Sequence, residues 1–308
     1  RGSLVTDEKL RFDFSAAKAL TLDQLRAVED EVRDTILRGL PVNSEVMALD
    51  TAKSIAGLRA VFGEVYPDPV RVVAVEHDIG QLSADPTNSA WTSASVEFCG
   101  GTHITNTADA HEFVITEETA VAKGIRRVTA VTGPEAVHAV TEGARLIGAL
   151  KELRGKSKPE LDEAIGDFRK EVEEAGPSIS YLTRSELRSS TETMQKELAA
   201  WKKAELNKSL SQGIKALEET LLQLKEDAAS FAVIDAGLGT DSQAVKKALE
   251  AMKKHAPDTA ILAFSEDPAV SGGKVLCFAN VPQQAIDQGL KANAWVTAAL
   301  APIGGKGG

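Results

Sequence analysis

The chain has 308 residues, long enough for two or more domains, with 43% hydrophobic residues, 26% charged residues and a net charge of −10. No run approaches the ~18 apolar residues that a membrane span needs, and two cysteines, Cys99 and Cys277, exclude a disulfide framework, so the sequence reads as a soluble protein of a reducing, cytoplasmic compartment. Lys and Arg against Asp and Glu number 13 to 21 in residues 1–135, 15 to 17 in 136–229 and 7 to 7 in 230–308, which excludes a bulk basic field for nucleic acid.

In chain order, residues 20–39 come first. Leu22, Leu25, Val28, Val32 and Ile36 recur at helical spacing and stop at Gly39 with Pro41 beyond. "VRVVAVEH" (70–77) and "HEFVITEE" (111–118) read as short buried strands. "GIRRVTAVTG" (124–133) is a third, closed by Gly133 and Pro134, which suit the start of a helix. This is an α+β pattern.

From about residue 135 to 228 the strand signal vanishes. A break near Gly176 and Pro177 predicts one long helix on either side. The second carries Leu187, Met194, Leu198, Trp201, Leu206, Leu210, Leu217, Leu221 and Leu224 as one apolar stripe. A long antiparallel helical hairpin is expected, acting as a spacer or as a route to a homodimer. The remainder returns to α/β: "FAVIDAGLG", a helix over 241–257, the strands "TAILAFSED" and "KVLCFANV", and a final helix through Trp295. The closing "GGKGG" reads as loop or tail. The expected divisions are therefore 1–135, 136–228 and 229–308.

Chemistry concentrates in "SVEFCGGTHI" (95–104). Cys99 and His103 flank Gly100, Gly101 and Thr102, and the glycines let a loop fold tightly enough for a thiolate and an imidazole to reach one ion. Zinc takes three or four protein ligands, and His77, His111, His138 and His255 form no H-x-x-x-H pair. From spacing alone, an ordinary core thiol beside a surface imidazole is the competing reading.

"SVEFCGGTHI", "KGIRRVTAVTG", "GSLV" with "LRFDFS", and "GLRAVFGEVYPDPVRVV" resemble the editing domain of the alanyl-tRNA synthetases. "GLKANAWV" and "GGKGG" are similar to that family's C-terminal domain. The resemblance implies zinc held by Cys99, His103 and a histidine pair on a helix preceding the G-S-L-V segment, so the site is expected to be incomplete here. Arg1-Gly2-Ser3 fall where that helix should just have ended. It further implies Thr102 and Arg126 as catalytic residues and tRNA(Ala) as partner. The ATP-using aminoacylation region belongs to a longer enzyme and not to this chain.

Why such enzymes edit follows from selectivity. A pocket for alanine cannot reject glycine or serine by more than roughly 10²-fold, so a second, hydrolytic site must cleave the wrong esters. On its strand, Arg126 shares a face with Val128 and Ala130, and Arg127 lies on the other, so one of them points inward. A buried arginine needs a phosphate or a carboxylate, the latter met by a structural acid such as Glu97. In the last segment Lys253, Lys254 and Lys291 are candidate phosphate contacts, while Trp295 reads as core. The alternative function is a non-catalytic module that binds tRNA or self-associates.

Overall fold

Thr21 opens the first helix. Its hydroxyl accepts from the Gln24 amide at 3.2 Å while the Gln24 side chain accepts from the Thr21 amide at 3.0 Å, a reciprocal cap that satisfies two orphan donors of α1 (Leu22–Arg38). Gly39 ends it with φ +60°, as a left-handed cap requires. The buried face differs from the expected stripe: Leu25 and Ile36 are buried, Leu22 and Val28 are exposed, and Glu29 is buried in their place. Position 29 continues the Leu25–Val32–Ile36 face at helical spacing, but a carboxylate there hides the periodicity from an apolar count.

The computed structural model describes residues 2–60, 63–239, 241–266 and 275–305. The chain divides into two units, residues 1–195 and 196–308. The first holds two antiparallel sheets. One consists of β1 (Ser3–Val5), β2 (Leu10–Ser15), β6 (Phe113–Ala122) and β7 (Ile125–Thr132) in the order β1-β2-β7-β6. Along β6, Phe113 and Ile115 turn to a core with Leu25 and Ala130, whereas Val114 turns to the opposite core with Ala136 and Ala139. Burial on both faces explains the three consecutive apolar residues, 113–115, at the start of this strand.

The other sheet, ordered β3-β4-β5, consists of β3 (Val42–Met47), β4 (Val70–Val75) and β5 (Val96–Phe98). The short helices α2 (Leu49–Lys53) and α3 (Ile79–Ala84) cover it. Val70, Val72, Ala74 and Val96 face a core with Ile55, Ile79 and Leu82, so Arg71, Val73 and Glu97 lie on the opposite face. Gly57 (φ +78°) makes the approach of the segment before β5 possible, since a Cβ there would stand 2.3 Å from the Trp91 carbonyl oxygen.

The helical region holds three helices: α4 (Gly133–Gly155), α5 (Lys158–Ala175) and α6 (Tyr181–Glu226). The stretch expected as one helix before Gly176 breaks at Ser157, which forms a reciprocal cap with Glu160 and is followed by Pro159 in the first turn. On α6 the stripe residues Leu187, Met194, Leu198, Leu210, Leu217 and Leu221 are buried and Leu206 is exposed.

In the second unit, Leu217 and Leu221 join one core with Ala248, Met252 and Ile261. Its sheet, ordered β10-β9-β8, pairs β8 (Phe231–Asp235) in parallel with β9 (Ala260–Glu266) through α7 (Ser242–His255), and β9 antiparallel with β10 (Val275–Asn280). Lys274, expected as the start of the last strand, and residues 306–308 of the glycine tail lie outside the described residues. The helices α8 (Gln283–Asp287) and α9 (Ala292–Leu300) follow, and Trp295 packs beside Leu262, Val296 and Leu300, as a core residue should. The fold class is α+β, as the sequence predicts.

Candidate functional site

Strand alternation builds the site. Val96 and Phe98 turn into the apolar core, which sends Glu97 and Cys99, two residues apart, to the outer face. The next residues double back on Gly100 and Gly101. A carboxylate oxygen of Glu97, Sγ of Cys99 and a ring nitrogen of His103 consequently all lie within 4.8 Å of one another. A thiolate, an imidazole and a carboxylate form a donor set that suits zinc.

The loop is held at both ends. Arg71 shares the outer face of the sheet, because it lies two residues from Val73, which is registered opposite Glu97. Its Nη1 donates to the Gly101 carbonyl at 2.9 Å and its Nη2 to Ser44 Oγ at 3.3 Å. Downstream, the Val42 amide donates to the Thr105 carbonyl at 2.9 Å, and Thr107 Oγ1 donates to the Thr35 carbonyl at 2.7 Å while accepting from the Leu40 amide at 2.8 Å. Thr102 is exposed between these anchors.

The structure does not bring the other local histidines into this group. The ring of His77 lies edge-on to Trp91, with centroids 5.1 Å apart, and His111 ends the turn 107–110. Arg126 is on β7, in the other sheet of the same unit, where Glu118 of β6 grips it through two hydrogen bonds. That ion pair holds the guanidinium in its charged form, raising its pKa above the ordinary arginine value. The structural acid beside Arg126 is thus Glu118 and not Glu97. Arg127, on the opposite face, pairs with Asp13 of β2 at 2.6 and 2.9 Å.

In the second unit, Lys253 and Lys254 are exposed in the last turn of α7, where cations also complement the helix dipole. Lys291 is exposed immediately before α9. A cation there works against the helix dipole, so helix stability does not account for it.

Residues 70–129, which include Arg71, Glu97, Cys99, His103 and Arg126, match the threonyl and alanyl tRNA synthetase second additional domain. The whole chain aligns with the cytoplasmic alanine–tRNA ligase of Drosophila melanogaster at 34% identity over 316 residues, and with that of Dictyostelium discoideum at 38% over 317. Over its whole length the chain is thus similar to one part of the alanine–tRNA ligases. A third relative, the alanine–tRNA ligase of Schizosaccharomyces pombe, is 54% identical over 136 residues, which are 44% of this chain and 14% of that protein. The chain covers 32% of the length of the Drosophila and Dictyostelium enzymes.

Two residues at the site, Glu97 and Arg71, escape a reading based on the C-G-G-T-H spacing. Both are accessible through period two. In "SVEFC" the alternation Val96-in, Glu97-out, Phe98-in, Cys99-out puts the carboxylate beside the thiol, and in "VRVVAV" Arg71 breaks an otherwise apolar strand.

Proposed function

We infer that this chain supplies the editing and tRNA-binding parts of an alanine–tRNA ligase. In this reading residues 1–135 hydrolyse seryl- and glycyl-tRNA(Ala) esters, residues 136–228 space the two ends, and residues 229–308 grip the tRNA through Lys253, Lys254 and Lys291. Ligation of alanine with ATP belongs to the longer enzyme. The observation that carries the reading is the meeting of Cys99 and His103 on a braced loop within the residues that match the second additional domain.

Cys99 and His103 are the residues that would hold zinc, which when bound polarises a water or the ester carbonyl. The chain's own residues do the positioning. Arg71 fixes the loop backbone through Gly101, and the Thr102 hydroxyl stands free between the two ligands to hydrogen-bond the aminoacyl group. Arg126 serves best as an orienting charge, since Glu118 already balances it.

A second reading, tRNA binding without hydrolysis, draws support from that same Glu118 pairing, which leaves Arg126 less available to a substrate phosphate. Seryl-tRNA(Ala) incubated with the intact chain and with Cys99→Ala decides between them. Hydrolysis by the parent that falls at least about tenfold in the variant, with unchanged tRNA affinity, supports editing. Binding by both with hydrolysis by neither selects the second reading.

A further inference from the structure

A cavity of about 330 Å³ opens between α1, α4 and the start of α6, all in the first unit, and no residue of the loop 99–107 lines it. The geometry points to this cavity as a binding site for a small aliphatic diamine, with one ammonium group against the buried Glu29 and the other against the exposed Asp30 and Glu186. The inference stands independently of the editing reading.

Glu29 carries it furthest. Its side chain is 3% exposed, yet among the described residues only one of its oxygens is hydrogen-bonded, accepting from the Ile115 amide at 2.7 Å. The other lies 3.6 Å from Arg33 Nη1, too far for a hydrogen bond, because Arg33 directs its Nε to the Glu112 carboxylate at 2.7 Å and to the Phe113 carbonyl at 3.0 Å. A buried carboxylate oxygen without a donor is costly, and burial already pushes the Glu29 carboxyl above the ordinary carboxylate range. An ammonium group in the cavity would supply both the donor and the opposite charge.

The rest of the lining selects the class of ligand. Arg33 is matched by Glu112, which leaves the carboxylates of Glu29, Asp30 and Glu186 against the single guanidinium of Arg26. Among the described residues, the side chains of Asp30, Glu186 and Arg26 have no hydrogen-bond or ion-pair partner. That balance favours a cation and works against a phosphate or another anion. Val140, Ile147 and Leu182 give the same cavity an apolar wall, which suits methylenes better than a hydrated metal ion.

The test uses the full chain and calorimetric titration at physiological ionic strength, where diffuse attraction of amines to an acidic protein is screened. The probes are 1,4-diaminobutane, n-butylamine, 1-butanol and butyrate. The diamine is expected to bind saturably, one per chain and more tightly than butylamine, while the alcohol and the acid give no binding. Glu29→Gln keeps an acceptor for the Ile115 amide and should weaken the diamine at least about tenfold, as loss of a buried charge-assisted bond does. Ala144→Trp fills the cavity from an exposed position on α4 and should abolish saturable binding. Glu219→Gln, an exposed carboxylate of the second unit, should change nothing. Circular dichroism checks that the variants fold, and if Glu29→Gln does not, Ala144→Trp decides alone. Non-saturating heats in the parent, or parent-like affinity in Ala144→Trp, overturn the site. Parent-like affinity in a folded Glu29→Gln, or butylamine or butanol binding as tightly as the diamine, overturns the assigned ligand chemistry.

Discussion

Glu29 is the residue whose charge is most at odds with its place. It is buried on the inner face of α1, one oxygen accepting from the Ile115 amide at 2.7 Å and the other 3.6 Å from Arg33. Burial raises its pKa above the ordinary carboxylate value, and the Ile115 amide and Arg33 offset this only in part. Because the folded state then binds the proton more tightly than the unfolded chain, this group's contribution to stability falls as pH rises from the unfolded value, about 4.3, through the raised folded one. Glu29→Gln keeps the acceptor for Ile115 without the charge. Its melting temperature relative to the parent should therefore improve as pH rises above the ordinary carboxylate range, measured by thermal melts in matched buffers. A gap that stays constant over that rise would show that Glu29 titrates normally.

At the scale of elements, the three-stranded sheet that carries Glu97 and Cys99 depends on one glycine. Gly57 has φ +78°, and any Cβ there meets the Trp91 backbone. Gly57→Ala should cost roughly 2–5 kcal/mol from backbone strain and overpacking, read as a lowered denaturation midpoint, and should loosen metal binding at the end of β5. The strands β4, β6 and β7 and the ends of α1 are legible in the sequence because periodicity and caps are local signals. The break at Ser157 is equally local, written in S-K-P-E as a capping box with an early proline, yet the helical composition on both sides masks it. Helices α2 and α3, of five and six residues, are too short for a period to emerge. The closeness of Glu97 to His103 depends on a turn that no period encodes, and the partner of Arg126 depends on the β6–β7 register, in which Ala120 and not Glu118 stands directly opposite.

Across the whole molecule, the charge sits unevenly: the acidic excess lies in residues 1–135 and the last 79 residues are balanced. If the exposed Lys253, Lys254 and Lys291 contact phosphates, replacing all three with Ala should weaken tRNA binding and flatten its logarithmic salt dependence by roughly 0.9 for each duplex phosphate no longer neutralised. Anisotropy titrations of the intact chain and the triple variant at two salt concentrations check this. An unchanged slope would move the RNA grip elsewhere. The bracing of the loop 99–107 bears on stability as well. Arg71, the Val42–Thr105 bond and the Thr107 hydroxyl fix residues 99–107 through the protein's own backbone. Stripping with chelator should therefore leave far-ultraviolet dichroism and a cooperative melt in place, unlike a zinc finger, which unfolds without its ion. If the loop does hold zinc, copies of such a chain would persist in a cell short of the metal rather than be cleared by proteolysis of unfolded protein, and occupancy would return without new synthesis.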